Sequence, residues 1–223
     1  MPVVLAFDTA GSACSVAVGH GGRVLAHERR EMRHGHAEAL LPMIGRVIAA
    51  AGLAASDIDV VAVSTGPGGF TGIRAGLAAA QGLALAAEAR LIGVSSFAAV
   101  AALVSKADTP LLVALDSRRA DPYVQLFDGD GFPTREPAAV PPEHLSNYVA
   151  AIGGTGLRIA GDAAEAAAEA MTAVEHIEML PETAPDARGV LRAALAQFAA
   201  SVQSSARPLY LRPPDVSLPK AQP

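Results

Sequence analysis

The sequence predicts an α/β protein in which one strand-and-helix unit occurs twice, giving two lobes. Two observations carry that prediction. Val60-Val61-Ala62-Val63-Ser64 is a β-branched apolar run of the kind that forms a buried strand. A glycine turn, Gly66-Pro67-Gly68-Gly69, follows it, and an alanine- and leucine-rich stretch continues through Leu85 at helical spacing. The second observation is internal repetition. Leu111-Leu112-Val113-Ala114-Leu115-Asp116-Ser117 restates Val3-Val4-Leu5-Ala6-Phe7-Asp8-Thr9, and Gly129 follows Gly21 at the offset that separates Asp116 from Asp8. Two anchors in one register point to a duplicated unit. The expected boundaries are 1–105 for the N-terminal lobe, 106–207 for the C-terminal lobe and 208–223 for an extended tail. The last helix is free to return to the first lobe.

Each element has its own signal. Val3 to Asp8 is a strand ending on a carboxylate, Thr9 to Ser12 a tight turn, and Cys14 to Val18 the returning strand. Gly19, Gly21 and Gly22 turn the chain into Arg23 to Arg29, completing an antiparallel meander with Asp8 at its first corner. Leu40, Leu41, Ile44, Val47, Ile48 and Ala51 then recur as an amphipathic helical stripe, closed by Gly52. Thr71 is the expected N-cap of the helix after the glycine turn. Gly76 and Gly82 inside that helix each cost on the order of 1 kcal/mol against alanine. Another backbone should therefore lie close, either the chain's own or that of a second subunit. Leu91 to Val94 is a short strand, and a helix capped by Ser95 or Ser96 runs on to about Val104.

In the second half, residues 133–142 are proline-rich and read as an irregular connection, with a short helix from Glu143 to Ala150. Arg158 to Asp162 is a strand ending in a Gly-Asp turn, and Ala163 to Met171 a helix. Asp186 to Ala200 is a final amphipathic helix with Val190, Leu191, Leu195 and Phe198 on its apolar side. Pro208 to Pro214 is held extended by its prolines, and a loose tail follows Asp215.

Composition narrows the function classes. The 223 residues are 51% hydrophobic, much of it alanine, and only 4% aromatic, with a mean hydropathy of +0.33. A net charge of −5, with Lys106 and Lys220 the only lysines, argues against nucleic-acid binding by the chain alone. Cys14 is the single cysteine, which excludes an intramolecular disulfide and a cysteine-based zinc site. The N-terminus lacks a basic segment and meets Asp8 early, unlike a signal peptide, and no apolar run suffices to span a bilayer. The expectation is a cytoplasmic protein without membrane attachment.

Several residues invite a chemical role. A strand, a glycine turn and a helix start together form a potential anion site, but the glycine turn has no lysine and is no Walker loop. His34 and His36 stand two apart and would point to different helix faces, so they read as loop and helix entry rather than as metal ligands. Ser64 lacks the preceding glycine of a nucleophile elbow, since Ala62 stands there. Cys14, within a strand, reads as buried and inert. Arg74 falls in the first turn of its helix, where the macrodipole disfavours a cation, so a specific partner is expected: an acidic side chain or a carbonyl at an interface.

One resemblance draws these features together. Leu5-Ala6-Phe7-Asp8-Thr9 with Thr65-Gly66-Pro67-Gly68-Gly69-Phe70-Thr71-Gly72-Ile73-Arg74 and Gly76-Leu77-Ala78 strongly resembles the TsaB (YeaZ) family, accessory proteins of tRNA threonylcarbamoyladenosine biosynthesis. His36-Ala37-Glu38, Leu40-Leu41-Pro42, Leu115-Asp116-Ser117-Arg118 and Pro208-Leu209-Tyr210-Leu211-Arg212 look like that family too. The resemblance implies a duplicated actin-like ATPase (ribonuclease H-like) fold in two lobes. It implies a non-catalytic scaffold or activating subunit of the complex that transfers threonylcarbamoyl to an adenosine beside the tRNA anticodon.

The partners it implies are a TsaD-like catalytic subunit and a TsaE-like ATPase, with a homodimer when the chain is alone and tRNA met only through the complex. No cofactor is then required by this chain; ATP and metal are expected on the partner subunits, and no residue here is assigned a catalytic or metal-binding role. Carried onto this sequence, the family's dimer helices would present Leu40, Leu41, Ile44, Val47, Ile48, Ile73, Arg74 and Leu77. Asp8, Thr9, Gly66, Gly68 and Gly69 occupy the places that hold metal and phosphate in actin-like ATPases. They read either as a residual nucleotide loop or, the favoured reading, as a turn and a cap inherited with the fold. The competing class is an independent ATP-binding enzyme, an ATPase or small-molecule kinase, on the same fold.

Overall fold

The computed structural model describes residues 1–150, 156–181, 184–202 and 205–212. Its central strands are the apolar runs. β1 (Val3–Asp8), β4 (Val60–Ser64) and β6 (Leu111–Leu115) are buried along nearly their whole length, as strands covered on both faces must be. β2 (Ala13–His20), β3 (Arg23–Glu31) and β5 (Arg90–Val94) complete a first sheet in the order β3-β2-β1-β4-β5. β7 (Tyr123–Phe127), β8 (Ala138–Ala139), β9 (Leu157–Ala160) and β10 (Ile177–Met179) complete a second around β6. Read from the β8 edge, its order is β8-β7-β6-β9-β10. In each sheet the first three strands form an antiparallel meander, and the other two run parallel to the first. The sequence repeat is therefore a repeat of topology.

Six α-helices are described: α1 (His36–Ala50), α2 (Phe70–Ala86), α3 (Ser96–Ala101), α4 (Leu145–Val149), α5 (Ala164–Ala170) and α6 (Ala187–Ala199). Strand alternation sorts the first core into two faces. Leu5, Phe7, Val61 and Val63 pack against Leu40, Met43, Ile44 and Val47 of α1 and Ile73, Leu77 and Ala80 of α2. Val4, Ala6, Ala17, Val60 and Ala62 face the other way, onto Val190, Leu191 and Ala194 of α6. The small residues at strand centres let that helix approach closely.

The helix that ends each unit serves the opposite sheet. α3, inside the expected first lobe, contributes Phe97 and Val100 to a cluster with Leu111, Val113 and Leu115 of β6. α6 returns from the second half to cover the first sheet, as its contacts with β1, β2, β4 and β5 show. The two helices cross in contact: a Cβ on Gly189 of α6 would stand 2.0 Å from the Ala99 carbonyl oxygen of α3.

Some expectations shift. The helix after Ser95 ends at Ala101, with Ser95 Oγ accepting the Ala98 N–H at 3.0 Å. The proline-rich connection contains the two-residue strand β8, and a further short strand, β10, lies between α5 and α6 where none was expected. The expected loose tail after Asp215 lies outside the described residues. No helix among those described is long and apolar enough to cross a membrane.

Candidate functional site

The corner after β1 and the glycine turn after β4 lie side by side because β1 and β4 are parallel neighbours whose C-terminal ends coincide. The two turns are packed backbone to backbone. A Cβ on Gly68 would stand 2.2 Å from the Ala10 carbonyl oxygen, and one on Gly72 would stand 2.0 Å from that of Thr9. Only glycine permits that approach. The Gly69 N–H, at the mouth of α2, donates to the Ala10 carbonyl at 2.7 Å. Thr9 Oγ1 donates to the Gly72 carbonyl at 2.8 Å, and a Cβ on Gly76 would meet that hydroxyl at 2.4 Å. Gly66 adopts φ +99 and lies against Ile73 and the backbone of Leu209.

The N-cap of α2 is therefore Gly69 and not Thr71, which is exposed within the first turn. The reason is local: the Gly69 N–H is held by the Ala10 carbonyl of the neighbouring corner, and the helical backbone starts directly after it at Phe70.

Asp8 is fully buried at this junction. Its Oδ2 has no hydrogen-bond partner among the described residues, and its Oδ1 lies 3.4 Å from the Ala10 N–H. Burial pushes its carboxyl above the ordinary carboxylate range, and the Ser64 hydroxyl and the Ala10 and Gly11 amides pull it back only in part. Across the interlobe cleft, Gly11, Gly68 and Gly69 face Asp116, Arg118 and Asp162 of the second lobe. Asp162 Oδ1 accepts the Asp116 N–H at 2.8 Å, and burial raises its carboxyl as well. Asp116 was legible as the repeat of Asp8. Asp162 was not, because its place depends on the parallel pairing of β6 with β9. Among the described residues, no cluster of three or more ligand-type side chains could hold a metal ion.

The expected partner surface divides into two sets. Leu40, Ile44, Val47, Ile73 and Leu77 are buried in the chain's own core and offer no surface. Their stripe satisfies the first sheet, which is the commonest use of an amphipathic helix. Ile48 is half-buried, and Leu41 and Arg74 are exposed. The outer sides of α1 and α2, which touch one another, instead carry Leu41, Gly45, Ala49, Ala78, Gly82 and Leu85. Leu41 is 56% exposed and Leu85 82%. Nothing lies within 4 Å of a Cβ placed on Gly45 or Gly82. Of the two glycines singled out in α2, Gly76 answers to the chain's own hairpin and Gly82 to nothing within it.

Within the chain, Arg74 has partners of its own. Its guanidinium lies 3.6 Å from the Phe70 ring centroid, and its Nε–H donates to the Tyr210 hydroxyl at 3.1 Å. His36 is buried with Nε2 unpartnered among the described residues, whereas His34 is exposed. The Cys14 thiol is buried and pushed up to about 11, chiefly by desolvation, so it is no nucleophile at neutral pH. Ser64 is buried, with its hydroxyl against Asp8 and the Thr9 N–H, the latter at 3.4 Å.

Two sheets of one topology, joined by exchanged helices around a cleft, define the actin-like ATPase fold. The same fold is seen in the ROK hexokinase of Thermus thermophilus, with a TM-score of 0.55 at 14% identity over 89% of this chain and 99% of that one. A family model described as TsaD, tRNA N6-adenosine threonylcarbamoyltransferase, matches residues 25–132. The tRNA threonylcarbamoyladenosine biosynthesis protein TsaB of Escherichia coli is 40% identical over 129 residues, 57% of this chain and 55% of that protein. The chain thus spans about half the length of the curated relatives it matches first. A Pseudomonas aeruginosa crystal structure, described as similar to peptidase YEAZ, superposes with a TM-score of 0.82 at 30% identity, covering 95% of this chain and all of that one. The chain belongs to the TsaB/YeaZ family.

Proposed function

We propose that this chain is a non-catalytic scaffold or activating subunit in the transfer of threonylcarbamoyl to an adenosine beside the tRNA anticodon, acting in the cytoplasm. One observation carries the reading. The outer face of α1 and α2, with Leu41, Gly45, Gly82 and Leu85, stands open within the chain, while the glycine turn before α2 is packed backbone to backbone on the Thr9–Ala10 corner. The exposed apolar and glycine positions of α1 and α2 suit another protein.

The TsaD match spans both α1 and α2, which favours a TsaD-like catalytic subunit with a comparable helix pair as the partner. The same face would serve a homodimer when the partner is absent. A TsaE-like ATPase would complete the assembly and supply ATP chemistry, tRNA would be met only by the whole, and this chain would need no cofactor of its own.

The test is calorimetric titration of the chain with ATP and magnesium, then with its TsaD-like homologue. Tight homologue binding with negligible ATP binding is the expected result. Micromolar ATP binding by the chain alone would instead favour the independent ATP-binding enzyme, with Asp8, Asp116 and Asp162 facing the nucleotide.

A further inference from the structure

Residues 205–212 cross from the edge of the first sheet to the second lobe. Their backbone begins against Gly93 of β5, where a Cβ would stand 2.6 Å from the Ser205 carbonyl oxygen. Leu209 donates its N–H to the Thr65 carbonyl at 2.8 Å, just before the glycine turn. Leu209 and Leu211 pack into the cluster that α3 shares with β6. Tyr210 points the other way, stacks on Phe70 with centroids 5.2 Å apart, and accepts the Arg74 Nε–H. Arg212 then pairs with Asp121 of the second lobe, whose carbonyl accepts the Ser117 hydroxyl at 2.6 Å, one residue from Arg118 of the cleft.

The alternation makes this segment more than an adhering tail. Successive side chains engage the interlobe core, the start of α2, the core again, and the second lobe. Pro208 fixes its own φ and biases Arg207 to the extended region, so the segment has little slack to absorb movement at one end. We propose that residues 205–212 are a clasp that couples the first turn of α2 to the Asp121 side of the cleft. A second consequence rests on the proposed function: a subunit that covers the exposed face of α2 and takes Arg74 from Tyr210 alters the second lobe.

Amide hydrogen exchange on the full chain tests the clasp without any partner. Asp121→Ala, made in the second lobe, is expected to raise exchange at Leu209 and at the first bonded amides of α2, Ile73 and Arg74, by roughly tenfold. A rise confined to 117–123 and 211–212 would overturn the coupling. Tyr210→Phe, which loses only the hydroxyl, gives a milder probe from the other end and is expected to raise exchange at 121–123; silence there counts against the clasp. Adding the TsaD-like homologue is expected to change exchange at Asp121 and 209–212. Binding with no such change refutes the second consequence and leaves the partner reading standing. No binding refutes the partner reading, and Asp121→Ala alone then decides the clasp.

Discussion

Two carboxylates show how opposite environments act on one residue type. Asp8 is buried with an oxygen unpartnered among the described residues, and its carboxyl titrates above its ordinary 3.8. Below that value it is neutral folded and unfolded and costs nothing. As pH rises, the unfolded chain ionises it more readily, and stability falls. Asp8→Asn is therefore expected to raise the urea midpoint at pH 7, with the gain vanishing near pH 3.5; a loss at pH 7 would show that the charge is held by partners. Asp186 behaves in the opposite way. Burial alone would raise it, but His27 at 3.2 Å and Arg188 at 2.8 Å hold its carboxyl well below the usual range. Its stabilisation is complete above the ordinary carboxylate value and is lost only as pH falls through its depressed one. It also caps α6, accepting the Arg188 N–H at 2.9 Å. Asp186→Ala should cost about 2–4 kcal/mol, read as a drop in thermal midpoint of roughly 5–12 °C. Asp186 read from sequence only as the start of a helix, because its β3 partner His27 is remote along the chain.

At the scale of elements, α2 carries two kinds of glycine that sequence could flag but not tell apart. The propensity penalty is the same for Gly76 and Gly82; what differs is the neighbour, and that is set by tertiary structure. Gly68 and Gly72 belong with Gly76. Gly72→Ala would drive a Cβ into the Thr9 carbonyl, and the forced shift should cost about 1–3 kcal/mol and lower the thermal midpoint by several degrees. Gly82→Ala meets open space, so in dilute chain it should stabilise α2 by about 0.5–1 kcal/mol. If the outer face receives a partner helix, the same methyl should weaken association by tenfold or so, about 1.4 kcal/mol. Sedimentation and melting of one variant thus separate the two roles, and stabilisation with unchanged association would remove this face from the interface. The apolar stripe of α1 was legible as an amphipathic helix. What the stripe covers was not: Leu40, Ile44 and Val47 lie on the chain's own sheet, while Leu41 of the same stripe faces outward.

For the whole molecule, the duplication was the most readable feature, because apolar runs ending on Asp8 and after Leu115 are local signals in a common register. The exchange of α3 and α6 was less readable, since helix periodicity shows that a face is buried but not against which sheet. That exchange makes each lobe incomplete by itself. Without α6, the first sheet would expose Val4, Ala6, Ala17, Val60 and Ala62, and the face would be left without Val190 and Leu191. Burying each such valine or leucine is worth about 1.5–3 kcal/mol. A fragment of residues 1–105 has the whole first sheet and the expected lobe boundary, yet it should bind a hydrophobic dye and give a poorly dispersed amide spectrum. Co-expression with residues 184–212 should restore a folded complex, because those residues bring both α6 and the Leu209–Thr65 hydrogen bond. A well-dispersed spectrum from 1–105 alone would mean that the first sheet closes by other means, and that α6 is a cover added to a finished lobe.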